Sequence, residues 1–171
     1  MMLGCLCCTS QPPGVLFLND FESEADLDRL RWRCFVAYSL SHRRATHGET
    51  CLRMELHPSP YPGLYPIVRE KDWSRFRVLC FDVFNPAEES LSVTVRVDDR
   101  EDDPPYGDRY NQGFLLKPGL NRVRIPLVEM RCSGTRRPID LTRIHNFCLF
   151  VEKPERIHVL FVDGVRLLSS G

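Results

Sequence analysis

The chain has 171 residues, of which 43% are hydrophobic and 27% charged, so it suits one globular domain and is not a disordered chain. Lys plus Arg and Asp plus Glu number 23 each, and this zero formal charge argues against a nucleic-acid binder, which normally carries a basic excess. No apolar run approaches the roughly 20 residues that cross a bilayer, so we expect no direct membrane span.

Residues 1–14 are predicted to form a disordered leader, followed by a single domain over residues 15–168. The leader is small and apolar, but it lacks the basic region and the length of a signal-peptide core. Leu3-Gly4-Cys5 is also similar to the end of a bacterial lipoprotein signal, in which Cys5 would carry the lipid. That alternative stays open, as does a start codon placed inside a longer chain.

The body of the chain is dominated by a period of two, which is typical of strands with one buried face. Polar and apolar residues alternate in this way over residues 52–57, 91–98 and 122–125, and four further runs are apolar on both faces: residues 15–21, 78–84, 147–151 and 157–162. One short helix is expected over residues 24–30, behind a Ser23…Asp26 capping pattern. About nine brief strands without βαβ alternation predict an all-β protein, a two-sheet antiparallel β-sandwich with one short N-terminal helix.

Five cysteines lie in the body of the chain, so they cannot all pair internally, and no CxxC pair occurs. Cys80 and Cys148 interrupt strongly apolar runs, and we therefore expect both to be buried free thiols. Asp163-Gly164 also interrupts an apolar run and predicts a turn or a bulge.

Two long loops, residues 57–66 and 98–111, are the connections in which function is expected. In the first, the rings of Tyr61 and Tyr65 either face a ligand or fold back to cap the sandwich. The second is strongly acidic, but clustered, flexible carboxylates lack the apolar pocket that a catalytic acid needs. No G-x-S-x-G, H-E-x-x-H or P-loop motif is present either, so we predict that the protein is not an enzyme.

An ordered series of motifs runs along the domain. Asp20-Phe21-Glu22 ends the first strand and is followed by Trp32 and by the Gly-led segment His47-Gly48-Glu49-Thr50-Cys51-Leu52-Arg53-Met54. Three members come later in the chain: Asp72-Trp73-Ser74, Leu79-Cys80-Phe81-Asp82-Val83-Phe84-Asn85, and the closing strand Leu160-Phe161-Val162-Asp163-Gly164-Val165-Arg166-Leu167. Over about residues 15–168 this series resembles the jelly-roll carbohydrate-binding modules of the galactose-binding-like superfamily. It is also similar to modules at the end of bacterial cell-envelope proteins.

The resemblance implies a non-catalytic module that recognises a polysaccharide or glycan on its concave sheet face. It further implies a periplasmic or cell-envelope location, within a larger membrane-anchored protein. Because the same fold also serves other roles, a protein-interaction or assembly domain is the alternative.

The ligand-binding residues are predicted from strand alternation. Polar side chains that point away from buried neighbours should share solvent on one face, and these are Arg53, Glu55, Asp82, Arg96 and Asp98, rimmed by Tyr65, Arg109 and Tyr110. Planar polar groups that pair with hydroxyls suit a sugar site. The alternative for the residues around loop 98–111 is an Arg–Asp ion-pair network that holds the loop closed.

The resemblance also implies one structural Ca²⁺ ion that joins the two ends of the domain. The matching positions here are Glu22 with its neighbour Asp20, the carbonyls of Gly48 and Cys51, and Asp163. Hard oxygen ligands of this kind suit calcium, and an unpaired Asp163 would be costly to bury. The alternative is that Asp163 is a turn residue and that Glu22 caps the short helix.

Overall fold

The computed structural model describes residues 14–169, and the predicted leader and its cysteines lie outside the described residues. The strands are β1 (Val15–Asn19), β2 (Val36–Ser41), β3 (Cys51–Leu56), β4 (Gly63–Leu64), β5 (Val78–Asn85), β6 (Leu91–Asp98), β7 (Tyr110–Leu116), β8 (Gly119–Pro126), β9 (Asn146–Phe150) and β10 (His158–Leu168). Three short 3-10 helices lie between them at Glu24–Arg29, Tyr106–Asp108 and Leu127–Glu129. Between residues 14 and 169, no helix is long and apolar enough to cross a membrane.

The strands form two antiparallel sheets. The large sheet has the order β2-β3-β10-β5-β8, with β1 beside the C-terminal half of β10, and the small sheet has the order β4-β9-β6-β7. Sequential strands often lie apart, as β9 does between β4 and β6, so most pairings close long stretches of chain. This arrangement confirms the predicted two-sheet β-sandwich.

The core lies between the two sheets and follows the period of two in the sequence. On β5, Leu79, Phe81 and Val83 point inward, and on β6, Val93 and Val95 do the same, all almost fully buried. Successive side chains of a strand point to opposite faces, so the intervening residues must lie on the outer faces of the sheets. The residues of β6 that alternate with Val93 and Val95 therefore belong to the outer face of the small sheet.

β10 is the central strand of the large sheet and changes partner along its length. Residues 158–162 pair with β3, and residues 165–168 pair with β1. Between them the register against β5 shifts from Asp163 to Arg166, and Gly164 has a positive φ of 54°. The predicted turn or bulge at Asp163-Gly164 is therefore a β-bulge, at which glycine allows a conformation that other residues rarely adopt.

The predicted N-terminal helix is a 3-10 helix, Glu24–Arg29, and is too short to build an α-helical hydrogen-bond ladder. The Ser23 backbone N–H donates to Asp26 Oδ2 at 3.1 Å, as the capping pattern predicted. Leu30 is buried in the core at the end of this helix.

Cys80 and Cys148 are free thiols and are each 1% exposed, which confirms their predicted burial. Neither belongs to the core between the sheets. Cys80 lies on the outer face of the large sheet beside its ladder partners Arg124 and Arg166, and Cys148 lies on the outer face of the small sheet. The strands that contain these cysteines are apolar on both faces because other side chains also cover their outer faces: Arg124 and Arg166 lie beside Cys80, and Tyr65 packs with Cys148.

Candidate carbohydrate-binding site

The outer face of the small sheet, termed the small-sheet face, is built from the outward residues of β6, β7 and β9. Because Val93, Val95 and Val97 point into the core, Thr94, Arg96 and Asp98 point outward. Directly opposite residues of paired strands share a face. The small-sheet face therefore also includes the ladder partners of these three residues: Phe150, Cys148 and Asn146 on β9, and Gly113 and Asn111 on β7.

An aromatic floor lies at the centre of the small-sheet face. Tyr65, Cys148 and Phe150 form a buried apolar cluster that is separate from the main core. The Tyr65 hydroxyl donates to the carbonyl oxygen of Tyr61 at 2.6 Å, and this bond fixes the loop against the sheet. The Tyr61 ring meets the Phe150 ring edge-on, with centroids 5.5 Å apart, and is 42% exposed. Of the two alternatives for this loop, Tyr65 caps the sheet and Tyr61 faces solvent.

Arg96 lies over this floor. Its Cζ is 5.0 Å from the centroid of the Phe150 ring and 5.8 Å from that of Tyr106. Its Nε donates to Asn111 Oδ1 at 2.8 Å, and within residues 14–169 its two terminal nitrogens have no hydrogen-bond partner. The guanidinium is therefore held in place while its remaining N–H groups stay free for the oxygen atoms of a ligand.

Gly113 leaves the small-sheet face open beside Arg96. It lies opposite Thr94 in the ladder, and a Cβ atom built on it would meet no heavy atom within 4 Å. A side chain here would stand over the sheet, so glycine leaves open space over the sheet near Arg96, and this space is termed the trough. The trough is bordered by exposed rings, since Tyr106 is 63% exposed.

A cavity of about 630 Å³, termed the end pocket, continues from the small-sheet face at Asp98 and Asn146. Asp98 is almost fully buried there, and its Oδ2 accepts a hydrogen bond from Asn146 Nδ2 at 3.0 Å. Its Oδ1 has no donor among the described residues, and Arg109 Nε is 4.0 Å away. Burial raises the pKa of Asp98, because the charged form loses its hydration.

Loop 98–111 is held by a network of ion pairs, as one of the two alternatives predicted. Arg137 contacts Asp99 at 2.6 Å and Asp108 at 3.0 Å, and Arg109 contacts Asp103 at 2.9 Å. Arg109 Nε also donates to the carbonyl oxygen of Pro104 at 2.5 Å. The network ties the loop to its neighbours, and residues of the loop form a wall of the end pocket.

The structure brings together four of the predicted ligand residues. Tyr65, Arg96 and Asp98 lie on the small-sheet face, and Arg109 lies at its rim. Tyr110 does not join them, because it is the ladder partner of Val97 and turns its ring into the core. Burial raises the pKa of the Tyr110 hydroxyl to about 12, which agrees with this inward position.

Arg53, Glu55 and Asp82 lie on the outer face of the large sheet, on the opposite side of the sandwich. Arg53 Nη2 is paired with Glu55 Oε1 at 2.6 Å, and Asp82 Oδ2 accepts from the Thr46 hydroxyl at 2.8 Å. The prediction that these three residues share one face with Arg96 and Asp98 is wrong. Alternation shows which residues of a strand point outward, but it does not show to which sheet the strand belongs.

Several residues of the site were not among the predicted ones: Arg31, Arg33, Tyr61, Tyr106, Gly113, Cys148 and Phe150. The run over residues 147–151 did signal a strand covered on both faces. The sequence does not show that the outer side of this strand is covered only by Tyr65 and Arg96 and is otherwise open to solvent.

The five residues predicted to hold calcium lie around one corner of the large sheet. Glu22 accepts from the backbone N–H groups of Glu49, at 3.0 Å, and Thr50, at 3.2 Å. Glu22 packs so closely against Gly48 that a Cβ atom there would fall 2.3 Å from its carboxyl carbon. Asp163 Oδ2 accepts from the N–H groups of Thr46 and His47, and its Oδ1 accepts from that of Gly164.

These carboxylates therefore have hydrogen-bond partners already. Burial raises the pKa of Asp163, and burial together with Asp163 and Glu22 raises that of the Cys51 thiol to about 12, so negative charge does gather here. However, backbone N–H groups repel a cation, and no group of three or more His, Cys, Asp or Glu side chains within residues 14–169 could hold a metal ion. Calcium at Asp20, Glu22, Gly48, Cys51 and Asp163 stays a prediction, and Glu22 does not cap the short helix.

The fold is similar to that of known carbohydrate-binding modules. A family 11 module from Clostridium thermocellum, solved in complex with a β-1,3-1,4-mixed-linked tetrasaccharide, matches with a TM-score of 0.67 at 16% identity, over 91% of this chain and 95% of its own. A family 30 carbohydrate-binding module matches with a TM-score of 0.58 at 13% identity, over 85% of this chain and 80% of its own. No family model and no curated protein sequence matches the chain.

Part of a larger enzyme is similar as well. An agarase matches with a TM-score of 0.67 at 18% identity, over 91% of this chain but 26% of the agarase. At these identities the likeness establishes the fold. The chain has the fold of these modules, a two-sheet jelly-roll β-sandwich, as the motif series predicted.

Proposed function

We propose that the protein is a non-catalytic carbohydrate-binding module that binds a polysaccharide or glycan along the small-sheet face. The observation that carries the proposal is that the exposed Tyr61 ring and the Arg96 guanidinium, with its terminal nitrogens free among the described residues, both lie against the Phe150 ring, near the trough at Gly113. Sugar rings have apolar C–H faces that pack on aromatic rings, and their hydroxyls accept hydrogen bonds from arginine. The mixed-linked tetrasaccharide bound by the family 11 module supports this choice of ligand class.

The state of the carboxylates supports a binding role without catalysis. Glycoside hydrolysis needs an acid with a raised pKa and a second carboxylate held in fixed position across the bond. Asp98 has a raised pKa, but four of the five other carboxylates in loop 98–111 are engaged with arginines: Asp99, Asp102, Asp103 and Asp108. Incubation with each bound glycan should release no new reducing ends, and their release would refute this part of the proposal.

The proposal extends to location. A binder of polysaccharide would meet its ligand outside the cytoplasm, in the periplasm or cell envelope, as a module of a larger membrane-anchored protein. Fractionation of the source cells, followed by detection of the protein with an antibody, tests this directly. Recovery from the cytoplasmic fraction alone would contradict it.

A glycan panel followed by isothermal titration tests the binding role. Arg96→Ala should abolish measurable binding, and Tyr61→Ala should weaken it about fivefold, because an aromatic contact contributes about 1 kcal/mol. Arg122→Ala is the matched control, since Arg122 is exposed on the opposite face of the sandwich. If Arg96→Ala binds at full strength while it stays folded, the site lies elsewhere; if no glycan binds the wild type, the protein-interaction alternative takes its place.

A further inference from the structure

The end pocket contains more cationic groups than its ion pairs use. Its lining includes Arg31, Arg33, Lys71 and Arg100, and Arg100 is already paired with Asp102 at 2.7 Å. Among the described residues, no carboxylate oxygen lies within 4.0 Å of a side-chain nitrogen of Arg31, Arg33 or Lys71, so these three cations form no ion pair.

The acidic groups of the same pocket offset this charge incompletely. Asp103 is paired with Arg109 at 2.9 Å, and Asp98 is buried with a raised pKa 4.0 Å from the same arginine. Glu101 is the one carboxylate of the lining that has no ion-pair partner in the described part of the chain. Because Arg109 offsets only one of Asp98 and Asp103, the three unpaired cations stand against two carboxylates, and the pocket has a small excess of positive charge.

The end pocket is continuous with the small-sheet face. The Cζ of Arg33 lies 5.9 Å from the centroid of the Tyr65 ring, so Arg33 borders both the aromatic floor and the pocket. Asp98 and Asn146 extend the two rows of outward residues that contain Arg96 and Cys148. A glycan lying on the floor would therefore extend towards the pocket along these two rows.

We propose that the glycan is anionic and that its carboxylate or sulfate group binds in the end pocket to Arg31, Arg33 and Lys71. The inference rests on the proposed carbohydrate-binding function and names the class of glycan. Guanidinium groups bind planar oxyanions with two parallel hydrogen bonds, and lysine adds a point charge. An incoming anion would break no existing ion pair of these three cations, whereas a neutral sugar would leave them without a partner.

Matched polysaccharides test this proposal. Polygalacturonate and its fully methyl-esterified form share one backbone and differ in charge, and a sulfated galactan with its desulfated form gives the sulfate arm. In titrations at 50 mM salt, the wild type should bind the charged member of one pair about tenfold tighter than the neutral member, and 500 mM salt should remove most of the difference. The arm that shows the preference identifies the anionic group.

Arg31→Gln and Lys71→Gln should each reduce the preference for the charged member to less than about threefold while the binding of the neutral member persists. Arg122→Gln removes the same charge from the opposite face and should keep the preference. Equal binding of charged and neutral members would overturn the inference and leave the proposed function standing. A preference that survives in both pocket variants would also overturn it, whereas failure to bind any glycan would refute the proposed function itself.

Discussion

Arg137 makes the ion pair on which the wall of the end pocket depends. It forms a two-fold contact with Asp99, Nη1 to Oδ2 at 2.6 Å and Nη2 to Oδ1 at 2.9 Å, and Asp99 is fully buried. Arg137→Met keeps most of the side-chain length but removes the cation. Asp99 would then be buried as a carboxylate with the Asp140 N–H, at 2.6 Å, as its remaining donor in the described structure.

The expected loss of stability follows from this geometry. Breaking a buried ion pair by removing one partner costs about 3–5 kcal/mol. Arg137 is 35% exposed and the Asp140 N–H stays, so we expect the lower end, about 3 kcal/mol. For a domain of this size, that corresponds to a melting temperature lower by about 6–12 °C.

The loss should depend on pH. Burial by itself would raise the pKa of Asp99, but the hydrogen bonds from Arg137 and Asp140 outweigh burial and hold the pKa below its usual value. In the wild type the pair therefore stabilises the folded state above the ordinary pKa of aspartate, and this contribution falls as pH drops through the lowered pKa. Without Arg137, burial makes the ionised carboxylate unfavourable at neutral pH, and protonation relieves that cost. The difference between variant and wild type should thus shrink from pH 7 to pH 4.

Urea unfolding at both pH values measures this difference. Arg143→Met is the matched control: Arg143 pairs with Asp140 at 2.9 Å on the surface, and losing such an exposed pair should change little. A cost below about 0.5 kcal/mol for Arg137→Met, or a larger cost that is equal at pH 7 and pH 4, would refute the reasoning.

Three further predictions concern buried groups. In the native protein a thiol reagent should label the exposed Cys34 and leave Cys80 and Cys148 unmodified until denaturant is added, because burial raises the pKa of both thiols. Asp98→Asn should raise the stability at pH 7 by about 1 kcal/mol, since burial disfavours the charged carboxylate, and the gain should fade towards pH 4 as the wild-type carboxyl is protonated. If calcium binds at the Glu22–Asp163 corner, a chelator should lower the melting temperature of the wild type, and Asp163→Ala should remove that sensitivity.

Each of these has a clear contrary result. Rapid native labelling of Cys148 would contradict the aromatic cover over the small sheet. A less stable Asp98→Asn variant would show that Oδ1 has a partner in solution. A melting curve that does not respond to chelator, together with no metal on elemental analysis, would leave the backbone N–H groups as the whole explanation for the buried Asp163.

The period of two predicted the sandwich because burial of one face imposes alternation directly. It assigned Arg96 and Asp98 correctly to an outer face, since Val95 and Val97 between them had to be inside. It could not join strands into sheets, because ladder partners such as β6 and β9 are about fifty residues apart and nothing in either strand identifies the other. Arg53 and Asp82 were placed with Arg96 for this reason.

The aromatic floor could not be predicted for the same reason, because the sequence does not show how the strands pair. Phe147 and Phe150 belong to one apolar run, yet Phe147 packs in the core and Phe150 lies under the guanidinium of Arg96 on the outside. The sequence of a strand that is apolar on both faces does not show which face packs in the core and which face would contact a ligand. Only the pairing of β9 with β6 places Phe150 next to Thr94 and Arg96.

Binding of the best panel glycan by Gly113→Phe tests the central claim most directly. A Cβ atom on Gly113 meets no neighbour within 4 Å, so the fold should accept the ring with its melting temperature unchanged, while the ring fills the trough beside Arg96. The account predicts that isothermal titration shows binding at least about tenfold weaker than that of the wild type. Wild-type affinity in a folded Gly113→Phe variant would contradict the placement of the glycan on the small-sheet face.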